Sequence, residues 1–296
     1  MTSRGKSINL FLMDGSPNGR MKCTLANWTG VFYKIPRTEL DKCKERSDLK
    51  QSGVYFLFGK EDTGESNVYI GQAGIRKNGE GVLYRLNEHR RNPDKDYWNE
   101  AVVFTTSNNS FGPTEISYLE NRFVNMAKDA NRFDIKNGNE PNIGHLTEEK
   151  ESELEEHIEN AKILMGVFGY KIFEPLVSKA IQQSPAIVEN EENETLKILY
   201  LKRPTKNDDA KGIQTTEGFV VLKGSIIAAS SQSSLDDKIK KMREDSSIVE
   251  KSVVQKDILF GSPSAAAAFV AGSPTSGPTY WKDADGISLK DLENES

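Results

Sequence analysis

The sequence predicts an α/β chain of the α+β type: a small antiparallel sheet flanked by helices, with a β-rich N-terminal segment before it and a small α+β module after it. Three observations predict this. Two strand-like apolar runs, Gly53 to Gly59 and Asn67 to Gly71, are joined by a short polar loop and read most simply as an antiparallel hairpin. Helical periodicity follows at 82–91 and again from Thr114 to Ala127. Finally, residues 178–195 carry few apolar side chains and many glutamates, a composition that reads as an acidic linker. At 296 residues the chain is too long for one small module. The expected organisation is a β-rich extension at 1–50, a central domain at 51–177, the linker at 178–195 and the C-terminal module at 196–296.

Taken in order, Ile8 to Met13 reads as a strand that ends in the turn cluster Asp14-Gly15-Ser16-Pro17-Asn18-Gly19. Met21 to Leu25 and Val31 to Pro36 are the next strands, and Thr38 is placed as the cap of a short helix running to Cys43. Trp28 is read as a core residue in preference to a base-stacking platform. The helix at 82–91 puts Arg85 and His89 one turn apart on one face. Ala101 to Thr106 is a third central strand. In the helix after Pro113, Ile116, Leu119, Phe123 and Ala127 define the buried side, and Glu120 falls among them. A carboxylate on that side needs a partner or a cation. Thr147 caps the next helix, its early glutamates suit the positive end of the dipole, and Gly166 or Gly169 ends it.

In the C-terminal module, strands are expected at Ile198 to Leu201, Gly218 to Leu222 and Ser225 to Ala228, with a polar loop from Pro204 to Glu217. A helix is expected from Ser234 to Arg243 and an extended segment from Val253 to Phe260. Ser262, Pro263 and Gly272 mark a helix by N-cap, first-turn proline and terminal glycine. Thr279 to Leu289 reads as a hairpin around an Asp-Gly turn.

Hydrophobic content of 36% and charged content of 28% are those of an ordinary globular protein. Two cysteines exclude a disulfide framework or a cysteine zinc site, and three histidines cannot build a His-rich metal site. No leader peptide or membrane-length apolar run is evident, so no membrane association and a cytoplasmic location are expected. A net charge of -5 argues against a protein that coats nucleic acid by bulk charge, but not against a local basic site. Arg76, Lys77, Arg85, Arg90 and Arg91 form such a cluster. Without the residues around it, this cluster would read as a solvated helix face.

The order Gly53-Val54-Tyr55, Tyr69-Ile70-Gly71, Gln72-Ala73, helical Arg85 with His89, and Glu120 within Tyr118-Leu119-Glu120-Asn121 resembles the GIY-YIG nuclease family over roughly residues 51 to 175. The resemblance implies a metal-dependent endonuclease using Mg²⁺ or Mn²⁺ on nucleic acid, with DNA the expected partner. It also implies roles. Tyr55 is the base, Tyr69 orients water or phosphate, Arg85 clamps the phosphate, Glu120 holds the metal and His89 supports the leaving side. Gly71, Arg76, Lys77, Arg90, Arg91 and Asn137 become candidates for nucleic-acid contact. The loop from Ala73 to Arg85 is longer than in a minimal member. Where some members place a His, Tyr or Lys near the phosphate, this chain has Lys95, Tyr97 and Trp98. The C-terminal pattern resembles a small module of uncharacterised function, similar to those on restriction and DNA-methylation enzymes, which implies binding. A non-catalytic nucleic-acid-binding or regulatory protein on the same fold is the alternative.

Overall fold

Strands whose side chains are apolar on both faces belong in the middle of a sheet covered on both sides. Gly53–Lys60 is such a strand, buried from Gly53 to Gly59. The computed structural model describes residues 5–61, 66–76, 79–138, 145–177, 188–189, 195–203 and 207–294. It is a mixed α+β chain that divides into two units, Met1–Pro175 and Leu176–Ser296.

In the first unit the strands are β1 (Ile8–Leu12), β2 (Met21–Leu25), β3 (Gly30–Pro36), β4 (Gly53–Lys60), β5 (Ser66–Ala73), β6 (Trp98–Thr106) and β7 (Asp134–Ile135). The helices are α1 (Val82–Arg91), α2 (Pro113–Ala130) and α3 (Glu148–Val167). The seven strands form one sheet in the order β1-β2-β3-β6-β4-β5-β7. All pairings are antiparallel except that of β5 with β7. The expected hairpin is present: Tyr55 pairs with Gly71, and Leu57 with Tyr69.

The alternation of side chains along β4 and β6 divides the core in two. Val54, Phe56, Phe58, Val102 and Phe104 pack against Leu119 and Phe123 of α2 and Ile158 of α3. Tyr55, Leu57, Ala101 and Val103 pack on the other face with Val82 and Leu86 of α1 and with Leu40 and Cys43. Tyr55 therefore sits beneath α1. Trp28 stacks on Phe32 and Phe104, as a core residue should. Residues Arg37–Cys43 form 3-10 turns with no side-chain cap, so Thr38 does not start a capped helix. Thr147 does cap α3, and Gly169 follows its end with a positive φ.

In the second unit the strands are β8 (Val188–Glu189), β9 (Thr195–Leu196), β10 (Ile198–Arg203), β11 (Asp208–Thr215), β12 (Gly218–Val221), β13 (Val249–Glu250), β14 (Val253–Val254) and β15 (Ile258–Phe260). The helices are α4 (Asp237–Glu244), α5 (Pro263–Ala271), α6 (Gly277–Tyr280) and α7 (Leu289–Asn294). Its main sheet runs β10-β11-β12-β15, all antiparallel. The region expected as a polar loop thus contains a central strand, β11. The expected strand at 225–228 is reduced to isolated bridges at Ile226. The extended segment at 253–260 splits into β14 and β15, and α4 begins later than expected, capped by Asp236. The hairpin around the Asp-Gly turn keeps only the bridge from Lys282 to Ser288 between two short helices. α5 forms as expected, with Ser262 accepting from Ala265 N–H and Gly272 in the left-handed region at φ 65°. A side chain on Gly272 would also collide with the Ser230 carbonyl. Among the residues expected as linker, only the backbone of 188–189 and 195 is described. The sequence reading carried the first domain to residue 177, whereas the two units part after Pro175.

Candidate active site

β5 carries the second tripeptide beside an incomplete sheet edge. β7 pairs only with Asn67 and Val68. Two residues later the Asn137 amide continues that edge: it accepts from Ile70 N–H at 3.1 Å and donates to the Ile70 carbonyl at 2.7 Å. Beyond Ile70, Gly71 to Ala73 pair with β4 alone among the described residues. Around this open stretch the helices on the two faces bring their polar side chains together.

Tyr55 is almost fully buried, and its hydroxyl lies 2.7 Å from His89 Nε2. Tyr69 completes an aromatic trio, with ring centroids 6.3 Å from Tyr55 and 5.3 Å from His89. The Tyr55 hydroxyl occupies the space where Gly71 lacks a side chain; a Cβ there would stand 2.6 Å from Tyr55 Cζ. Gly71 is therefore glycine because the tyrosine passes beneath it.

Burial governs the charges here. It raises Tyr55 far above the ordinary phenol value, against the opposing Arg85 guanidinium. It raises Tyr69 too, helped by the negative charge of Glu120. It lowers His89 to about 3, helped by Lys95 and Arg85. At neutral pH His89 is thus an uncharged imidazole, and with its hydrogen on Nδ1 it accepts from the Tyr55 hydroxyl. That contact joins His89 to Tyr55.

Arg85 projects from α1 beside both tyrosines and donates to Glu88 at 2.8 Å. Glu120, buried on α2, makes no ion pair among the described residues. Burial raises its pKa, against hydrogen bonds from the Gln72 side chain and backbone and the more distant charge of Arg85. Lys95 lies 3.8 Å from the centre of the Tyr69 ring, and burial together with Arg85 lowers its pKa. Trp98, by contrast, is a core residue under the Arg37 guanidinium.

Tyr55, Tyr69, Arg85, His89 and Glu120 thus converge, joined by Lys95 and Gln72. The other candidates sit differently. Arg76 reaches the rim through Glu88. Arg90 is turned away and paired with Asp41, Arg91 is exposed, and Asn137 spends its amide on the Ile70 backbone. Lys77 lies outside the described residues. In the C-terminal unit Trp281 is buried and donates to the Pro263 carbonyl at 3.0 Å, so it is closed to a ligand. Lys95 and Gln72 stood at informative positions in the sequence without an assigned role. Glu88 gave no signal beyond its place one turn after Arg85.

Among the described residues no three His, Cys, Asp or Glu side chains gather into a metal cage. What the site offers a cation is one desolvated carboxylate. That suits Mg²⁺, which keeps several waters and binds through one or two carboxylates plus phosphate oxygens. The donor set fits such an ion on those terms, and Glu120 is the residue that would hold it.

Residues 199–293 match the model of a domain of unknown function, DUF4357. No curated protein and no solved structure matches the chain.

Proposed function

We propose that the first unit is a GIY-YIG-type endonuclease that hydrolyses phosphodiester bonds in DNA with Mg²⁺ or Mn²⁺, and that the C-terminal module aids substrate selection. The observation that carries this reading is the convergence of two tyrosines, an arginine, a neutral histidine and a buried carboxylate with no ion-pair partner among the described residues, at the strand edge beyond Ile70. A structural role for each residue explains each separately, but not their meeting.

The contacts support a role for each residue. Hydrolysis needs a deprotonated water and a cationic seat for the phosphate. Tyr55 is too buried to rest as a phenolate. Its hydroxyl passes its proton to His89 Nε2 as it takes one from the attacking water, so Tyr55 itself carries no charge before reaction. Tyr69 and the Lys95 ammonium over its ring line the phosphate side. Arg85 presents a planar fork suited to phosphate oxygens. Glu120 would hold the divalent cation, which when bound would supply positive charge to stabilise the developing anion.

The test is cleavage of single-stranded, duplex, branched and methylated DNA in Mg²⁺, in Mn²⁺ and in chelator, with the full chain and Glu120→Gln. The parent is expected to cut only with metal. Glu120→Gln is expected to bind DNA, keep its thermal unfolding midpoint and lose turnover by at least about 10²-fold, the scale of one essential electrostatic group. Undiminished cutting by Glu120→Gln would remove the metal role. A parent that binds equally in metal and chelator and never cuts would be a non-catalytic binder.

A further inference from the structure

Glu88 joins two arginines at the rim of the site. Its carboxylate accepts a two-point pair from Arg76, Nη1 to Oε1 and Nη2 to Oε2, each 2.9 Å, and a further bond from Arg85 Nη1 to Oε2 at 2.8 Å. Arg76 is held in addition over the Tyr84 ring, 4.6 Å from its centre, and its N–H donates to the Glu80 carbonyl. The three charged side chains remain partly exposed, at 45% for Arg76, 40% for Arg85 and 30% for Glu88.

We propose that Glu88 is a built-in phosphate mimic. In the free protein its carboxylate occupies the fork between Arg76 and Arg85, and a phosphate of the nucleic acid takes its place on binding. This rests on reading Arg85 as the phosphate clamp. The chemistry of the exchange is balanced, because carboxylate and phosphate present paired oxygens to a guanidinium in the same way, and Arg binds either in two-point geometry. The exposure of the group matters as well. A buried pair would resist exchange, whereas a partly solvated one holds its geometry at small net stabilisation and can open for a competitor.

Two consequences follow. The arginines are held in place before substrate arrives, so little side-chain freedom remains to be lost on binding. Against that, each binding event must displace an anion, which weakens affinity and discriminates against ligands of low charge. Glu88 is then a positioning residue for Arg85 and a threshold on the charge of the ligand.

The experiment compares the full chain with Glu88→Gln, Glu88→Asp, Arg85→Ala and Arg76→Ala, using a fluorescent DNA duplex in chelator at several salt concentrations. Glu88→Gln keeps size and polarity but removes the charge. It is expected to tighten duplex binding by about fivefold at low salt, the scale of one partly exposed charge pair, with the gain shrinking as salt rises. Glu88→Asp keeps the charge and is expected to stay near the parent. If cleavage is measured in parallel, Glu88→Gln should lower KM and lower kcat, a split that general loosening of the fold does not produce. Binding by Glu88→Gln that equals or falls below the parent overturns the proposal, as does equal tightening by Glu88→Asp. The control separates the two readings: if Arg85→Ala binds the duplex as well as the parent, the clamp itself is wrong. If the arginine variants weaken binding and Glu88→Gln does not tighten it, only the mimic fails.

Discussion

At the scale of residues, the site is a group of titratable side chains whose charge is suppressed by burial. Tyr55 and His89 share one hydrogen bond and are both held neutral, the phenol because its ionisation is pushed far up and the imidazole because its protonation is pushed down to about 3. The imidazole makes a measurable prediction about stability. The unfolded chain binds a proton at His89 near pH 6.5, while the folded chain refuses it until about pH 3. Its contribution is therefore complete above pH 6.5 and drains away as pH falls through that window, at up to about 1.4 kcal/mol per pH unit. His157 is shifted the same way by burial, so the acid limb has two sources. Unfolding free energies measured from pH 7.5 to 4 should fall less steeply for His89→Gln than for the parent. Parallel curves would mean that His89 is not held neutral in the folded protein. How much of this was legible in sequence depends on the residue. Spacing put Arg85 and His89 on one helix face and Glu120 on a buried one, and these are local properties. That Gly71 makes room for the Tyr55 hydroxyl, or that Asn137 acts as a substitute strand on Ile70, depends on chain segments 16 and 67 residues apart. No local pattern encodes such distances.

At the scale of elements, helices with complete start and stop signals were the most legible. α5 has its cap, proline and glycine within eleven residues, and forms between them. β11 was not legible, for a physical reason. Its buried positions are filled by Asp208, Ala210, Gly212 and Ile213, of which only Ile213 is large and apolar. Gly212 is small because the Phe219 ring of the neighbouring strand lies against it. Asp208 is buried because Arg203, opposite it in the β10–β11 register, receives its charge; Arg203 Nε donates at 2.8 Å and Nη2 donates as well. The same arginine reaches the Ala271 carbonyl at the end of α5. A strand built from an ion pair and small residues reads as a polar loop until its partners are known. The pair predicts its own sensitivity. Asp208→Ala leaves Arg203 without its carboxylate at a site where the aspartate side chain has no exposure, and breaking such a pair costs about 3 kcal/mol. Denaturant unfolding of the full chain is the measurement. A loss well under about 1 kcal/mol would class the pair with exposed salt bridges.

At the scale of the whole molecule, each unit has cores of its own. Phe56, Phe104, Phe123 and Ile158 belong to the first, and Leu201, Phe219, Phe269 and Trp281 to the second. The composition of the chain signalled two bodies, but it could not say which of them held the residues just before the acidic stretch. Val177 and Leu176 pack with Ile213, Val220 and Leu222, all on the C-terminal side. Val177 is 3% exposed, and full burial of a valine is worth roughly 1.5–3 kcal/mol. This makes the starting residue of a C-terminal fragment a sharp variable. A fragment of residues 176–296 and one of 196–296 both contain the four strands of the sheet, from β10 onward, yet only the longer has Val177 to close the face under Ile213 and Val220. The longer fragment should unfold cooperatively in denaturant and exceed the shorter by at least roughly 1.5–3 kcal/mol, the value of the Val177 side chain alone, with Leu176 adding to it. Val177→Ala in the longer fragment should recover part of that difference, since it removes the same contacts without shortening the chain. If the two fragments unfold together and Val177→Ala has no effect, Val177 contributes nothing to this core and the C-terminal body begins with β10.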